Sequence, residues 1–436
     1  LIYLLLELSY IGSTKEIDNK ISMDLDTLSI ILKYIDNKTI TELFNNTNNI
    51  CIKKEYYDRF YVNYSEIKED HQLIKKINID INVFNLDIFP KLTHLQFGDN
   101  FNQPIKKGVF PNSLKYLYFG NKFNQLIEKD VLPNLLTHLV FGYDFNQQIY
   151  IGVLPNSLKY LEFICEFNQT IEKGVLPNSL ERLVFGGDFN QAIDKDVLPN
   201  SLTHLVFKNN FNQQIEKDIL PNSLKHLVFG HEFNQPIDEG VLPNSLGHLV
   251  FGWNFNQPIK KDVLPNLLEH LVFGGYFNQP VKKDVLPDSL EFLKFGYYFN
   301  KSIEKNVLPN SLRYLRFGFN FNKPIEKGML PNSLIKLKFG WRFNQPIEKG
   351  VFPNSLEHLV FGDNFNKPIE KGVLPNLLKR LYFGYKFNQI IGISVFPNSL
   401  KHLEFGNKFN YQINNILPDS LIYLKIGDNV MIDIKQ

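Results

Sequence analysis

Eight of the ten histidines in this chain share one register: His94, His138, His204, His226, His248, His270, His358 and His402 are separated by multiples of 22 residues, and His204 to His270 occupy four consecutive periods. Imidazole is the commonest metal ligand and the side chain whose charge changes near neutral pH. Such a row therefore suggests either a metal site or a pH-sensitive surface. Zinc needs a tetrahedron of ligands held by outer partners, whereas equivalent positions of successive repeats form a line. The spacing predicts stacked surface imidazoles that repel one another once protonated, below about pH 6, and no metal. No acid, base or nucleophile departs from the repeat to form a convergent set, so the chain reads as a non-enzyme without a cofactor.

Two neighbouring registers carry a different chemistry. One holds Val184, Val206, Val228, Val250 and Val272 and then turns basic at Lys294, Arg316 and Lys338. The other carries Trp253, Tyr297, Phe319, Trp341 and Tyr385, including both tryptophans of the chain. Where the registers meet, Tyr297, Tyr314, Arg316, Phe319, Lys338 and Trp341 are expected to form one aromatic and basic patch, with Trp253 in the same face. Exposed aromatics with arginine make protein-binding hot spots, and aromatics among basic residues also suit single-stranded nucleic acid. Ordinary drift at outward positions is the third reading, and the residues alone leave all three open.

These registers exist because the chain repeats. Phe-Asn recurs every 22 residues from Phe101-Asn102 to Phe409-Asn410, fifteen times without an insertion. One unit reads Leu114-x-x-Leu117-x-Phe119-Gly120-x-x-Phe123-Asn124-x-x-Ile127-x-x-x-Val131-Leu132-Pro133. Leu117 and Phe119 alternate with Tyr116 and Tyr118, the period of a short strand, and Gly120 is expected to turn the chain after it. The Gly108 position holds Gly, Asp or Asn in all full copies but Ser394, types that tolerate left-handed backbone, so a tight turn is expected there. The Asn column from Asn102 reads as structural, stacked inward to satisfy backbone groups of neighbouring turns. A single unit cannot bury its own apolar side chains. Stacked units can, which predicts a solenoid with one long parallel sheet of about sixteen short strands.

Composition agrees with a globular or solenoid chain: 436 residues, 44% hydrophobic, and 39 Phe and 20 Tyr against 3 Met and 2 Trp. A net charge of +2 makes no electrostatic case for nucleic acid. Cys51 and Cys165 are too few for a disulfide framework, which points to a reducing, cytoplasmic setting. The apolar start Leu1–Leu6 is interrupted by Glu7, too short to span a bilayer and without a signal peptide's basic start. Met23 is the first methionine, and translation is expected to be able to start there, which leaves residues 1–22 an N-terminal extension of undecided status.

The strand portion, Leu-x-x-Leu-x-Phe, resembles the start of a leucine-rich repeat. With Phe-Asn-Gln-Pro-Ile at 101–105 and Leu-Pro-Asn-Ser-Leu at 176–180, the unit as a whole resembles the FNIP repeat family, a leucine-rich-repeat relative abundant in amoebae and the giant viruses that infect them. The resemblance covers residues 90–436 and implies protein–protein interaction without catalysis.

Residues 23–60 follow another pattern. Leu28, Ile31, Leu32 and Ile35 fit an amphipathic helix, with Ile40, Leu43 and Phe44 suggesting a second. With Asp26, these positions resemble an F-box, although Met23-Asp24 replaces Leu-Pro, Thr39 replaces an Asp, and no Trp lies near position 50. The resemblance implies an all-α module that docks, through Leu28, Ile31, Leu32, Ile35, Ile40 and Leu43, on the small adaptor of a cullin-type ubiquitin ligase while the solenoid holds a target protein. The other reading is a helical cap over Leu92, Leu95 and Phe97, with the protein a plain interaction scaffold. Residues 61–89, where Ile77, Ile79, Ile81 and Val83 alternate, read as linker and capping strand.

Overall fold

The computed structural model describes residues 62–63, 76–79, 86, 89–413, 416–428 and 430–433. The chain divides into two compact units, residues 1–167 and 168–436. In the first, the described strands are β1 (Val62–Asn63), β2 (Lys76–Ile79), β3 (His94–Phe97), β4 (Tyr116–Tyr118), β5 (His138–Phe141) and β6 (Tyr160–Phe163). Each pairs in parallel with the next. The second unit begins with β7 (Arg182–Phe185), β8 (His204–Phe207), β9 (His226–Val228), β10 (His248–Val250), β11 (His270–Val272) and β12 (Phe292–Lys294). It continues with β13 (Tyr314–Arg316), β14 (Lys336–Lys338), β15 (His358–Val360), β16 (Arg380–Tyr382), β17 (His402–Phe405), β18 (Tyr423–Ile426) and β19 (Val430–Asp433). Strands β7 to β18 are parallel in exact repeat register, so His226 lies between His204 and His248. Only β19 runs antiparallel, against β18.

Among the described residues there is no helix. This corrects the expected architecture of a small all-α module ahead of the sheet: the first described elements are the parallel strands β1 and β2. Sequence gives the reason at β2, where period-two alternation sets Ile77 opposite Leu95, fully buried, so the segment extends the sheet. Leu92, Leu95 and Phe97 are buried, as are Ile77, Leu86 and Phe89. Residues 23–60, including Leu28, Ile31, Leu32, Ile35, Ile40 and Leu43, lie outside the described residues. No described helix is long and apolar enough to cross a membrane.

The core is a double ladder of phenylalanine. Phe119 and Phe123 stack at 3.9 Å within one turn, and each meets its counterpart in the next, Phe141 at 5.4 Å and Phe145 at 6.1 Å. Leu114, Leu117 and Leu136 are fully buried beside them. Each turn thus buries two aromatic rings that a lone unit would leave half wet, and every such ring stabilises by about 1.5–3 kcal/mol.

Polar columns lock successive turns together. Asn102 Oδ1 accepts the Asn124 amide at 3.0 Å and the Gln125 Nε2 at 2.9 Å, and the pattern repeats along the chain. Asn102 and Asn410 are exposed and the asparagines of the turns between them are half-buried, stacked at the margin of an interior that the phenylalanines fill. The serine of Pro-Asn-Ser-Leu donates to the leucine carbonyl of the previous turn, Ser113 to Leu92 and Ser311 to Leu290, both at 2.7 Å. All fourteen residues in the Gly108 register have positive φ, from Gly108 at 86° to Ser394 at 58°, so the left-handed turn is fixed throughout.

The chain turns at the glycine after the strand, where the Gly120 carbonyl accepts the Phe123 amide at 3.3 Å, and the residue type has a further reason. Except at Gly427 these glycines have no positive φ; a Cβ on Gly318 would overlap the carbonyl of Gly296, and one on Gly120 that of Gly98. Neighbouring turns approach here backbone to backbone. At the two exceptions, Ile164 and Lys208, the ladder continues one residue further: their amides donate to the Phe141 and Phe185 carbonyls at 3.2 and 3.3 Å.

Candidate partner-binding groove

The outward strand positions carry the residues that the core does not use. In most rungs the middle leucine is buried and its two neighbours are half-buried; in β14, Lys336 and Lys338 are both exposed around Leu337. Strand register sets Lys294 beside Arg316 and Arg316 beside Lys338, between Val272 and Val360. The three cations therefore follow one another at about 4.8 Å per strand. No carboxylate among the described residues lies within salt-bridge distance of any of them. Burial, and then the neighbouring Arg316 guanidinium, lower the pKa of Lys294.

Just past the glycines runs an aromatic wall. Tyr297 stacks on Phe319 at 4.5 Å with 9° between planes, and Phe319 on Trp341 at 5.5 Å and 11°. Trp253 reaches Tyr297 at 6.1 Å across the intervening turn, which holds Gly275. Wall and cations enclose an open groove of about 440 Å³. Its floor is the buried Gly274, Gly296, Gly318 and Gly340 with their phenylalanines.

Of the seven patch residues expected from sequence, Trp253, Tyr297, Arg316, Phe319, Lys338 and Trp341 line this groove. Tyr314 does not. It lies in the histidine register, two positions before Arg316, with the Lys336 ammonium 5.1 Å above its ring. Lys294 and Gly275 also belong to the groove, and sequence reasoning left them out of the patch. Lys294 is the first basic residue of its column, and Gly275 occupies the aromatic register between Trp253 and Tyr297.

The histidine row forms the other outward edge. His204, His226, His248 and His270 stack face to face at 4.1, 4.3 and 4.3 Å. In the first unit the same register alternates His94, Tyr116 and His138 at 4.1 and 4.4 Å. Stacked rings direct their nitrogens outward along parallel planes and cannot converge on one ion. No three His, Cys, Asp or Glu side chains among the described residues form a metal-binding group.

The tautomer of His204 follows from its neighbour. The single Thr203 hydroxyl proton goes to the Glu181 carbonyl at 3.0 Å, so the Nδ1–H of His204 donates to that hydroxyl at 2.9 Å. Burial, foremost, and nearby positive charge hold His204, His226 and His248 below the ordinary imidazole pKa.

Comparison with known proteins places this geometry. The FNIP Repeat family matches eight times in tandem, at residues 86–122, 123–166, 167–210, 211–254, 255–298, 299–342, 343–386 and 387–429, so each family unit spans about two turns. The chain is similar to CroV588, a giant-virus protein whose crystal structure is described as a novel circular LRR protein structure: 55% identity, TM-score 0.77, over 82% of this chain and 52% of that one. This chain thus spans about half the length of that relative. A leucine-rich repeat protein from Bacteroides ovatus aligns over 82% of this chain and 84% of its own at 16% identity, but with a TM-score of 0.17 it supports no conclusion. No curated protein matches.

Proposed function

The chain belongs to the FNIP repeat family, and from that premise we propose that it is a protein-interaction scaffold whose groove between Trp253 and Trp341 receives a partner protein. The observation carrying this is the groove's lining. Indole, phenol and guanidinium groups dominate protein-binding hot spots, and here they line one concavity while the leucines and phenylalanines do the folding. Three cations without a carboxylate among the described residues within salt-bridge reach suit a surface kept for contact.

The test is a comparison of the proteins retained from lysate by the full chain and by Trp341→Ala with Arg316→Ala. Loss of a retained protein at an unchanged melting temperature is expected, since both side chains are exposed. Identical retention by the two would retire the groove.

The finer reading, a cytoplasmic substrate-recognition subunit of a cullin-type ubiquitin ligase, draws its support from the sequence of residues 23–44 alone. It requires the small ligase adaptor as a second partner. Adaptor capture by the full chain that survives Leu28→Asp with Ile31→Asp would remove it; the scaffold reading needs neither the adaptor nor ubiquitin.

A further inference from the structure

We infer that the groove's occupant is an acidic, extended peptide segment laid across the strands so that its carboxylates meet Lys294, Arg316 and Lys338 in turn. This rests on the reading of the groove as a partner site and names the partner's chemistry.

Charge is the first reason. Three cations stand on adjacent rungs with no carboxylate in salt-bridge range among the described residues. Their mutual repulsion is relieved by an anion, and charge-assisted hydrogen bonds to carboxylates are the strong ones. Lys294 is part-buried beside Arg316, and burial and then that guanidinium lower its pKa.

The aromatic wall gives the second reason. Tyr297, Phe319 and Trp341 spend their faces on each other and therefore present edges to the groove. Ring edges carry positive partial charge, so wall and cation row favour the same sign. Nucleobases bind single-strand sites by lying on open aromatic faces, and the faces between Tyr297, Phe319 and Trp341 are already taken by one another.

Dimensions supply the third. From the turn of Trp253 to that of Trp341 there are four strand spacings, about 19 Å, the reach of roughly six extended residues. Beyond Trp341 the aromatic column becomes Asp363, whose Oδ1 accepts the Tyr385 amide at 3.2 Å. A carboxylate at that point repels an acidic chain and marks the groove's end.

Both tryptophans of the chain stand in the wall, so intrinsic fluorescence of the full chain reports on the groove. Poly-L-glutamate is expected to shift the emission saturably. The midpoint should weaken at least about tenfold, that is by about 1.4 kcal/mol, in Arg316→Glu with Lys338→Glu, and also when salt rises from about 0.05 to 0.3 M. Arg316→Gln with Lys338→Gln serves if charge reversal disturbs folding. Oligouridylate of matched length should bind at least about tenfold more weakly.

Equal or tighter binding of oligouridylate would overturn the inference in favour of nucleic acid. No shift with poly-L-glutamate at low salt would overturn it outright. If retention of a lysate protein still depended on Trp341 in that case, the groove would survive as a partner site of another chemistry; if neither effect appeared, both readings would fall.

Discussion

The indole of Trp253 lies over the α-carbon of Gly275: a Cβ at that position would come within 2.6 Å of the ring's Cε2 and Cε3 atoms. The missing side chain lets the indole lean across a whole turn to Tyr297, 6.1 Å away, and close one end of the aromatic wall. Gly275 has no positive φ, so alanine suits the backbone, and the three atoms its Cβ would meet first all belong to the indole. Gly275→Ala is expected to swing Trp253 into solvent, moving the tryptophan emission to the red and weakening groove ligands several-fold. The melting temperature should change little, because Trp253 is already 41% exposed. An unchanged emission spectrum would show that Trp253 does not depend on that gap.

Gly318 tests the close approach of turns. Its Cβ would overlap the Gly296 carbonyl, which is backbone and cannot rotate away. Gly318→Ala should cost about 1–3 kcal/mol, the usual cost of overpacking, read by urea denaturation. At the natural Lys208 the amide joins the ladder to Phe185; a neutral Gly318→Ala would mean that any rung can take a side chain at this position.

Ser394 sits in a left-handed turn at φ 58°, where its register otherwise uses Gly, Asp or Asn. A non-glycine residue there is strained by about 1–2 kcal/mol, and the side chain is exposed. Ser394→Gly is therefore expected to stabilise by roughly 0.5–1 kcal/mol after the entropy glycine adds to the unfolded chain. A loss of stability on thermal denaturation would contradict it.

The histidine row predicts acid sensitivity. His204, His226 and His248 are held below the ordinary imidazole pKa, and His94 is lowered to about 4 by burial, Lys76 and His138. The folded state keeps these rings neutral while the unfolded chain takes up protons near its ordinary value of about 6.5. The stability they contribute is thus complete above pH 6.5 and is lost as pH falls, for His94 progressively down to about 4. His226→Tyr with His248→Tyr should flatten the fall of melting temperature between about pH 6.5 and 5, since the register already accepts Tyr116 and Phe292. Should the fall persist undiminished, carboxylate protonation elsewhere would be its cause.

Much of this architecture is written in the sequence. The 22-residue period, the Leu and Phe columns of the core and the left-handed turn at the Gly108 register are local properties, set by side-chain alternation and by which residues tolerate positive φ. A repeat without insertions also dictates the pairing, since one register satisfies every turn at once. Six of the seven patch residues could be named on that basis, because a strand's outward positions are those the core leaves free.

Distances across the stack required the tertiary structure. The glycine column reads as a turn signal and the chain does turn there, but the carbonyl of the preceding turn, 22 residues away, also demands glycine. Tyr314 and Arg316 look adjacent on one face, but Tyr314 lies in the histidine row beside the Lys336 ammonium while Arg316 enters the groove. The asparagines stack at the margin of an interior that phenylalanine fills. Gly275 becomes the place where Trp253 rests. A repeat fixes what each position is next to along the chain and in the adjoining turn. Which columns then face each other over a groove depends on how the backbone bends after the strand, and that bend is set by packing between turns.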